Sequence, residues 1–230
     1  MIMILYLIAL TILFIFFNIW CLKKNYLVSE TGDGHQKFAS KIKTPLTGGI
    51  FIFLFLILFY NHLNFSSLFF SLLILLLGIV SDLKIIKSAN IRLLIQVLIV
   101  LFYILISDLQ ITDTRLYFLD EILKIKYFNY LFVAFCILIL INGSNFFDGL
   151  NTLNIGYFLS ISIIINYLVL RNIIFVDENY IFKYLALILI FAYILNFTNK
   201  FFLGDSGSYL LGFLFSIILI NLYATNKQIS

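Results

Sequence analysis

The chain has 230 residues, of which 63% are hydrophobic and only 11% are charged, and its mean hydropathy is +1.11. A soluble globular domain carries about 25% charged residues, so this composition excludes that class and indicates an integral membrane protein in a lipid bilayer. The formal net charge is +4, and we expect no nucleic-acid partner.

Apolar segments of near-membrane length recur along the whole chain. About 20 apolar residues span the hydrocarbon core of a bilayer, so these segments predict an all-α bundle of about eight transmembrane helices, in one domain covering residues 1–230. In chain order they are Ile2 to Leu22, Leu46 to Tyr60, Phe65 to Val80, Ile91 to Ile106, Phe128 to Ile141, Leu153 to Leu170, Ile181 to Phe197 and Tyr209 to Tyr223.

The basic residues predict the orientation of these helices. The first segment has no basic residue before it and ends at Lys23 and Lys24, which indicates a retained helix with its N-terminus outside. Following the chain back and forth from there places nine of the fifteen basic residues on one side, which we expect to be cytoplasmic. They are Lys23, Lys24, Lys37, Lys41, Lys43, Lys84, Lys87, Arg92 and Lys200.

All eleven glycines, together with Pro45, fall on the same predicted cytoplasmic half. Irregular backbone is costly beside lipid unless it lines a cavity or is covered by protein. The distribution of glycine therefore predicts a built site at the cytoplasmic face, with simpler connections on the opposite side.

Three isolated carboxylates indicate what this site could bind. Asp82, Asp148 and Asp205 each stand alone at a predicted helix end, on three different cytoplasmic connections. If the helices bundle, the three groups could converge, and Mg²⁺ favours oxygen ligands of this kind. The alternative is that each aspartate caps a helix, which is a common role for this residue type.

Polar residues also recur in the stretch NGSNFFDGLNTLNIG, residues 142–156. They stand three positions apart, at Asn142, Asn145, Asp148, Asn151 and Asn154. Three residues turn an α-helix by about 300°, so one straight helix cannot keep all five on one face. Either the segment unwinds near Gly143 and Gly149, or its polar groups wind around a helix end into a groove. Contact with a ligand would explain this density of carboxamides better than packing, because an unpaired buried amide costs about 1 to 3 kcal/mol.

Four motifs in this order carry a family resemblance: QKFASKIKTPLTGGI from Gln36, GIVSDLKIIKSANIRLLIQ from Gly78, NGSNFFDGLNTLNIG from Asn142 and FLGDSGSYLLGF from Phe202. With them the chain resembles the polyprenyl-phosphate N-acetylhexosamine-1-phosphate transferases of glycosyltransferase family 4, which include the phospho-N-acetylmuramoyl-pentapeptide transferases. The resemblance covers the chain from Gly32 to Phe213.

The resemblance implies an Mg²⁺-dependent transfer of N-acetylhexosamine-1-phosphate from a UDP-N-acetylhexosamine to undecaprenyl phosphate, with release of UMP. The lipid-linked product would start a cell-envelope polysaccharide at the cytoplasmic face of a bacterial inner membrane. The Gln-Lys-Phe loop favours N-acetylglucosamine-1-phosphate as the transferred group. A homodimer is left open.

The resemblance also implies roles for individual residues. Asp82, Asp148 and Asp205 would be catalytic, with Asp205 as the Mg²⁺ ligand and Asp82 as base or second metal partner. Residues implied to bind substrate are Lys37, Asn142, Asn145, Asn151, Gly204 and Ser206.

Several positions depart from the family pattern. Ser81 replaces the first residue of an adjacent Asp-Asp pair, Ala39 replaces a histidine, and Asn151 replaces an aspartate. The family also continues with further helices and a histidine-bearing cytoplasmic loop, whereas this sequence ends at Ser230. These differences leave open a catalytically impaired relative that binds polyprenyl phosphate or nucleotide-sugar and regulates a partner. A transporter ranks last, because transporters place their polar helix breaks near the bilayer midplane.

Overall fold

The computed structural model describes residues 2–29, 43–58, 64–147, 152–176 and 181–226, and within these ranges the chain is helical apart from connections and two isolated β-bridges. The nine helices of the described residues are α1 Ile2–Lys24, α2 Gly48–Leu58, α3 Phe65–Asp82, α4 Ala89–Ser107, α5 Tyr117–Leu123, α6 Lys126–Phe147, α7 Leu153–Leu170, α8 Ile181–Phe197 and α9 Gly204–Thr225.

The predicted all-α membrane protein is confirmed in its class. Five helices in the described ranges, α3, α4, α6, α7 and α9, are long and apolar enough to cross a membrane. The apolar helix α2 and the stretch Phe182–Phe197 of α8 are shorter. The count of about eight spans therefore stays a prediction.

The largest differences from the predicted helices are at α5, α6 and α9. The short helix α5 was not predicted, and α9 begins at Gly204 instead of Tyr209. Of the two alternatives for the polar stretch, unwinding near Gly143 is wrong, because α6 continues through this residue to Phe147. A single glycine costs a helix only about 1 kcal/mol, whereas unwinding beside lipid would leave backbone groups unpaired. Gly149 lies outside the described residues.

Helix α9 is the centre of the bundle. It packs against α3, α6 and α2, and its residues are buried without interruption from Ser206 to Ile218. Because protein surrounds this helix, its first turn can carry polar and charged residues that would be costly against lipid.

Irregular segments at one end of the bundle tie α1, α2 and α9 together. The N–H of Phe202, just before α9, donates to the carbonyl of Pro45, just before α2, at 2.7 Å. The Asn18 carboxamide of α1 donates to the Lys200 carbonyl at 3.2 Å and accepts from the Thr47 hydroxyl at 2.6 Å. These bonds satisfy backbone groups that would otherwise be unpaired, and they fix where α9 begins.

The backbones of helices α3 and α9 lie very close together at Gly78. A Cβ atom added at Gly78 would lie 2.3 Å from the Cα atom of Ser206. Only a glycine fits there without moving one of the two backbones.

We predict that Gly78→Ala lowers the stability of the protein by about 1 to 3 kcal/mol, because it overpacks a backbone contact. The matched control is Gly143→Ala, since a Cβ at Gly143 meets nothing within 4 Å and alanine is the better helix former. Thermal unfolding of the purified protein in detergent micelles measures both. Equal melting temperatures for the two variants would contradict the close approach.

Candidate active site

Asp82 joins the end of α3 to the start of α9. Its Oδ1 atom accepts the backbone N–H of Asp205 at 2.8 Å, and its Oδ2 atom accepts that of Ser206 at 3.1 Å. The first N–H groups of a helix have no partner within the helix, and the positive end of the helix dipole favours a carboxylate there. Asp82 therefore caps a helix, as the alternative interpretation expected, but the helix it caps is α9 and not its own.

Gly204 makes this cap possible. Its φ angle is +70°, and a Cβ atom at this position would lie 2.7 Å from Oδ2 of Asp82. A side chain would be strained by the backbone conformation and would push the carboxylate away. Gly204, predicted from the resemblance as a substrate contact, thus has a visible structural role in making room for Asp82.

Asp205 projects from the first turn of α9 towards a cation of α4. Its Oδ2 atom accepts from Nη1 of Arg92 at 2.6 Å and from the hydroxyl of Ser81. The side chains of Arg92 and Asp205 are each 24% exposed. Water therefore screens this ion pair less than it would a pair on an open surface.

Ser81 stands where the resemblance leads us to expect an aspartate, and its hydroxyl lies at the junction of the ion pair. Nη1 of Arg92 donates to Ser81 Oγ at 2.6 Å, while the same hydroxyl donates to Asp205. A hydroxyl can accept and donate at once, which a carboxylate cannot do. The serine therefore connects Arg92 to Asp205 without adding a second negative charge.

Two carboxamides near the end of α6 reach different neighbouring helices. Oδ1 of Asn145 accepts from the hydroxyl of Ser208 on α9 at 3.0 Å. Nδ2 of Asn142 donates to Oε1 of Gln96 on α4 at 3.1 Å. Both asparagines are half-buried. In the described part of the stretch, the polar groups wind around the end of α6, which is the second of the two predicted alternatives.

Asn154, at the start of α7, serves packing. Its Nδ2 atom donates to the carbonyl of Ser144 at 2.9 Å, and the side chain is buried. Because the carboxamide finds its partner inside the protein, the periodic spacing at this position requires no ligand.

The structure brings some predicted site residues together and leaves others untested. Asp82 and Asp205 meet at the α3–α9 junction, where Asp82 accepts the backbone N–H of Asp205. Asn145 accepts the hydroxyl of Ser208, three residues further along α9. Ser206 is fully buried, and its Oγ atom has no partner in the described part of the chain. Lys37, Asp148 and Asn151 lie outside the described residues.

The sequence interpretation gave no catalytic or binding role to Arg92, Gln96 or Ser208. Arg92 was counted only as one of the positive charges predicted to be cytoplasmic, although it lies at the start of an apolar helix with Gln96 four residues later on the same face. An ionisable residue within a membrane-spanning helix marks a functional site by default, so this signal could have been used.

One known protein family matches most of the chain. The sequence model of glycosyl transferase family 4 matches residues 65–223, from the start of α3 almost to the end of α9. The chain belongs to glycosyl transferase family 4. No curated protein matches it. The matched stretch contains Asp82, Arg92 and Asp205, so the residues that meet at this junction lie within the family's own region.

Family membership makes this glycosyl transferase family 4 protein a membrane phosphosugar transferase, and it suggests polyprenyl phosphate and a sugar nucleotide as substrates. The all-helical bundle and the polar site at one end of it agree with this class. The particular sugar and lipid belong to the proposal below.

The chemistry of the junction fits a hard cation. The described residues contain no group of three His, Cys, Asp or Glu side chains that could hold a metal, but Mg²⁺ needs only one or two carboxylates besides water and phosphate oxygens. All described hydrogen bonds to the Asp205 carboxylate go to Oδ2. Both oxygens of Asp82, in contrast, already accept backbone N–H groups. Asp205 is therefore the better ligand of the two.

We predict that Asp82→Asn destabilises the protein by about 2 kcal/mol, because the amide loses the charge and can accept only one of the two N–H bonds. Glu121→Gln is the control, since Glu121 pairs with Lys124 at an exposed site where an ion pair contributes little. Thermal unfolding in micelles measures both variants. An Asp82→Asn protein as stable as the control would show that the cap does not hold α9.

Proposed function

We propose that this protein transfers N-acetylhexosamine-1-phosphate, with N-acetylglucosamine-1-phosphate preferred, from the UDP-sugar to undecaprenyl phosphate. The reaction releases UMP at the cytoplasmic face of a bacterial inner membrane and starts a cell-envelope polysaccharide. The observation that supports this most is the Asp82 cap, which fixes Asp205 beside Arg92 within the family-matched stretch.

The reaction requires several negative charges to approach one another. A phosphate oxygen of the lipid attacks the phosphorus that bears the sugar, and the bond from that phosphorus to the UMP oxygen breaks. Enzymes of phosphoryl transfer act mostly by positioning and by supplying positive charge, with little covalent chemistry of their own. A site that combines a guanidinium with a carboxylate oxygen that accepts no hydrogen bond from the described residues suits this demand.

In this proposal each residue of the junction has a separate role. Asp205 holds Mg²⁺, which when bound neutralises charge on the phosphates. Asp82 positions Asp205 through the first turn of α9, while its role as base or second metal partner stays a prediction. The carboxamides of Asn142 and Asn145 connect the end of α6 to α4 and to α9. Lys37, Asp148 and Asn151 are expected to contact phosphate and nucleotide-sugar.

A second candidate function is a relative that binds polyprenyl phosphate or nucleotide-sugar without turnover and regulates a partner. Ser81 in place of an aspartate, and the engagement of Asp205 by Arg92, favour this candidate. Binding of undecaprenyl phosphate or UDP-N-acetylglucosamine with no release of UMP would select it over the enzyme.

We predict that Asp205→Asn and Asp148→Asn each reduce UMP release by about 100-fold or more, as expected when a group that organises transition-state charge is lost. The assay uses purified protein in micelles with undecaprenyl phosphate, UDP-N-acetylglucosamine and Mg²⁺. Asp113→Asn is the matched control, because Asp113 lies on the connection between α4 and α5, away from the junction.

Unchanged turnover in both site variants would refute the assignment of the reaction to this site. A comparable loss in Asp113→Asn would show that the assay reports folding and not chemistry.

A further inference from the structure

The guanidinium of Arg92 has donor capacity that its present partners do not use. Nη1 serves both Asp205 and Ser81, whereas Nε is buried and has no hydrogen-bond partner in the described part of the chain. A guanidinium carries five N–H donors, and a buried donor without a partner costs free energy. The contacts with Asp205 and Ser81 alone therefore leave Arg92 incompletely satisfied.

Arg92 also occupies the carboxylate that the proposed reaction assigns to a metal ion. It lies 2.6 Å from Oδ2 of Asp205. A divalent cation on the same carboxylate would repel the guanidinium strongly at such distances, so the two cations compete. The arginine side chain is 24% exposed, which leaves it within reach of solutes.

We propose that Arg92 binds a substrate phosphate and is held on Asp205 until a divalent cation takes its place. This inference rests on the proposed function, and it adds an order of events to that function. The guanidinium matches two phosphate oxygens at once through its planar fork, which is the geometry that uses its remaining donors. Binding of the metal would thereby release the guanidinium of Arg92 for the phosphate. Without the metal, Arg92 and Asp205 would stay paired.

Chemical labelling of the unaltered protein tests the first half of the proposal. The chain contains three arginines, Arg92, Arg115 and Arg171, and the last two are exposed. Phenylglyoxal modifies accessible guanidinium groups, and mass spectrometry quantifies each site. We expect Mn²⁺ to raise labelling of Arg92 several-fold and to leave Arg115 and Arg171 unchanged. Labelling of Arg92 that does not respond to Mn²⁺ would overturn the proposal.

The second half is tested by adding a phosphate compound to the Mn²⁺-loaded protein. Farnesyl phosphate represents the lipid phosphate, UDP-N-acetylglucosamine represents the diphosphate, and farnesol is the control without phosphate. Protection of Arg92 by either phosphate compound, but not by farnesol, supports the proposal and identifies which substrate the arginine contacts. Protection by neither contradicts it.

A variant gives a readout that does not depend on labelling. In Arg92→Gln the competing cation is gone, so we expect Mn²⁺ to bind about tenfold more tightly in an electron paramagnetic resonance titration. Lys87→Gln removes the same charge from an exposed position on the connection before α4, and should change the affinity far less. Equal or weaker Mn²⁺ binding by Arg92→Gln contradicts the proposal. If this variant does not fold, the labelling of the unaltered protein still decides.

Failure of this inference can be told from failure of the proposed function. If the unaltered protein releases UMP but Mn²⁺ does not change the extent of Arg92 labelling, only the role proposed for Arg92 is wrong. If no UMP is released and Asp205→Asn binds Mn²⁺ as tightly as the unaltered protein, the proposed function is wrong as well.

Discussion

The site depends on one interaction, in which the carboxylate of Asp82 accepts the first backbone N–H groups of α9. The N-terminus of α9 lies inside the bundle, where unpaired donors would be costly and the helix dipole favours a negative charge. Gly78 and Gly204 let the two backbones and the carboxylate come this close. The same contact fixes the direction of Asp205, and so determines which cation it meets.

The pairing of charges at this junction connects the fold to the proposed chemistry. Arg92 contacts Asp205 directly, and the Ser81 hydroxyl bonds to both, in a partly covered position where water screens charges weakly. In the proposed order of events, a divalent cation would replace the guanidinium on Asp205. Until then the positive charge of Arg92 would offset the electrostatic cost of keeping the Asp205 carboxylate in a partly covered position.

Much of this arrangement could be predicted from the sequence, because hydrophobic length and the placement of glycine are local signals. The apolar segments and the all-α class follow from them, whereas the meeting of Asp82 with Asp205 was expected from the isolated positions of the two residues at helix ends. The partner of Asp82 could not be predicted, because it is the backbone of α9. A backbone N–H group 123 residues away leaves no pattern in the sequence around Asp82. The same holds for Arg92, whose position beside Asp205 depends on how α4 packs. The sequence left open whether the chain unwinds at Gly143 or continues as a helix, because the small penalty of one glycine does not decide between the two.

The most direct test of the central claim is a double-mutant cycle between Asp82→Asn and Gly204→Ala, measured by thermal unfolding in micelles. Each substitution breaks the same contact, one by removing the charge and the other by placing a methyl group 2.7 Å from Oδ2 of Asp82. We predict that the loss of stability in the double variant is smaller than the sum of the two single losses by about 1 kcal/mol or more. Effects that add to within about 0.5 kcal/mol would contradict it, because independent sites behave in that way.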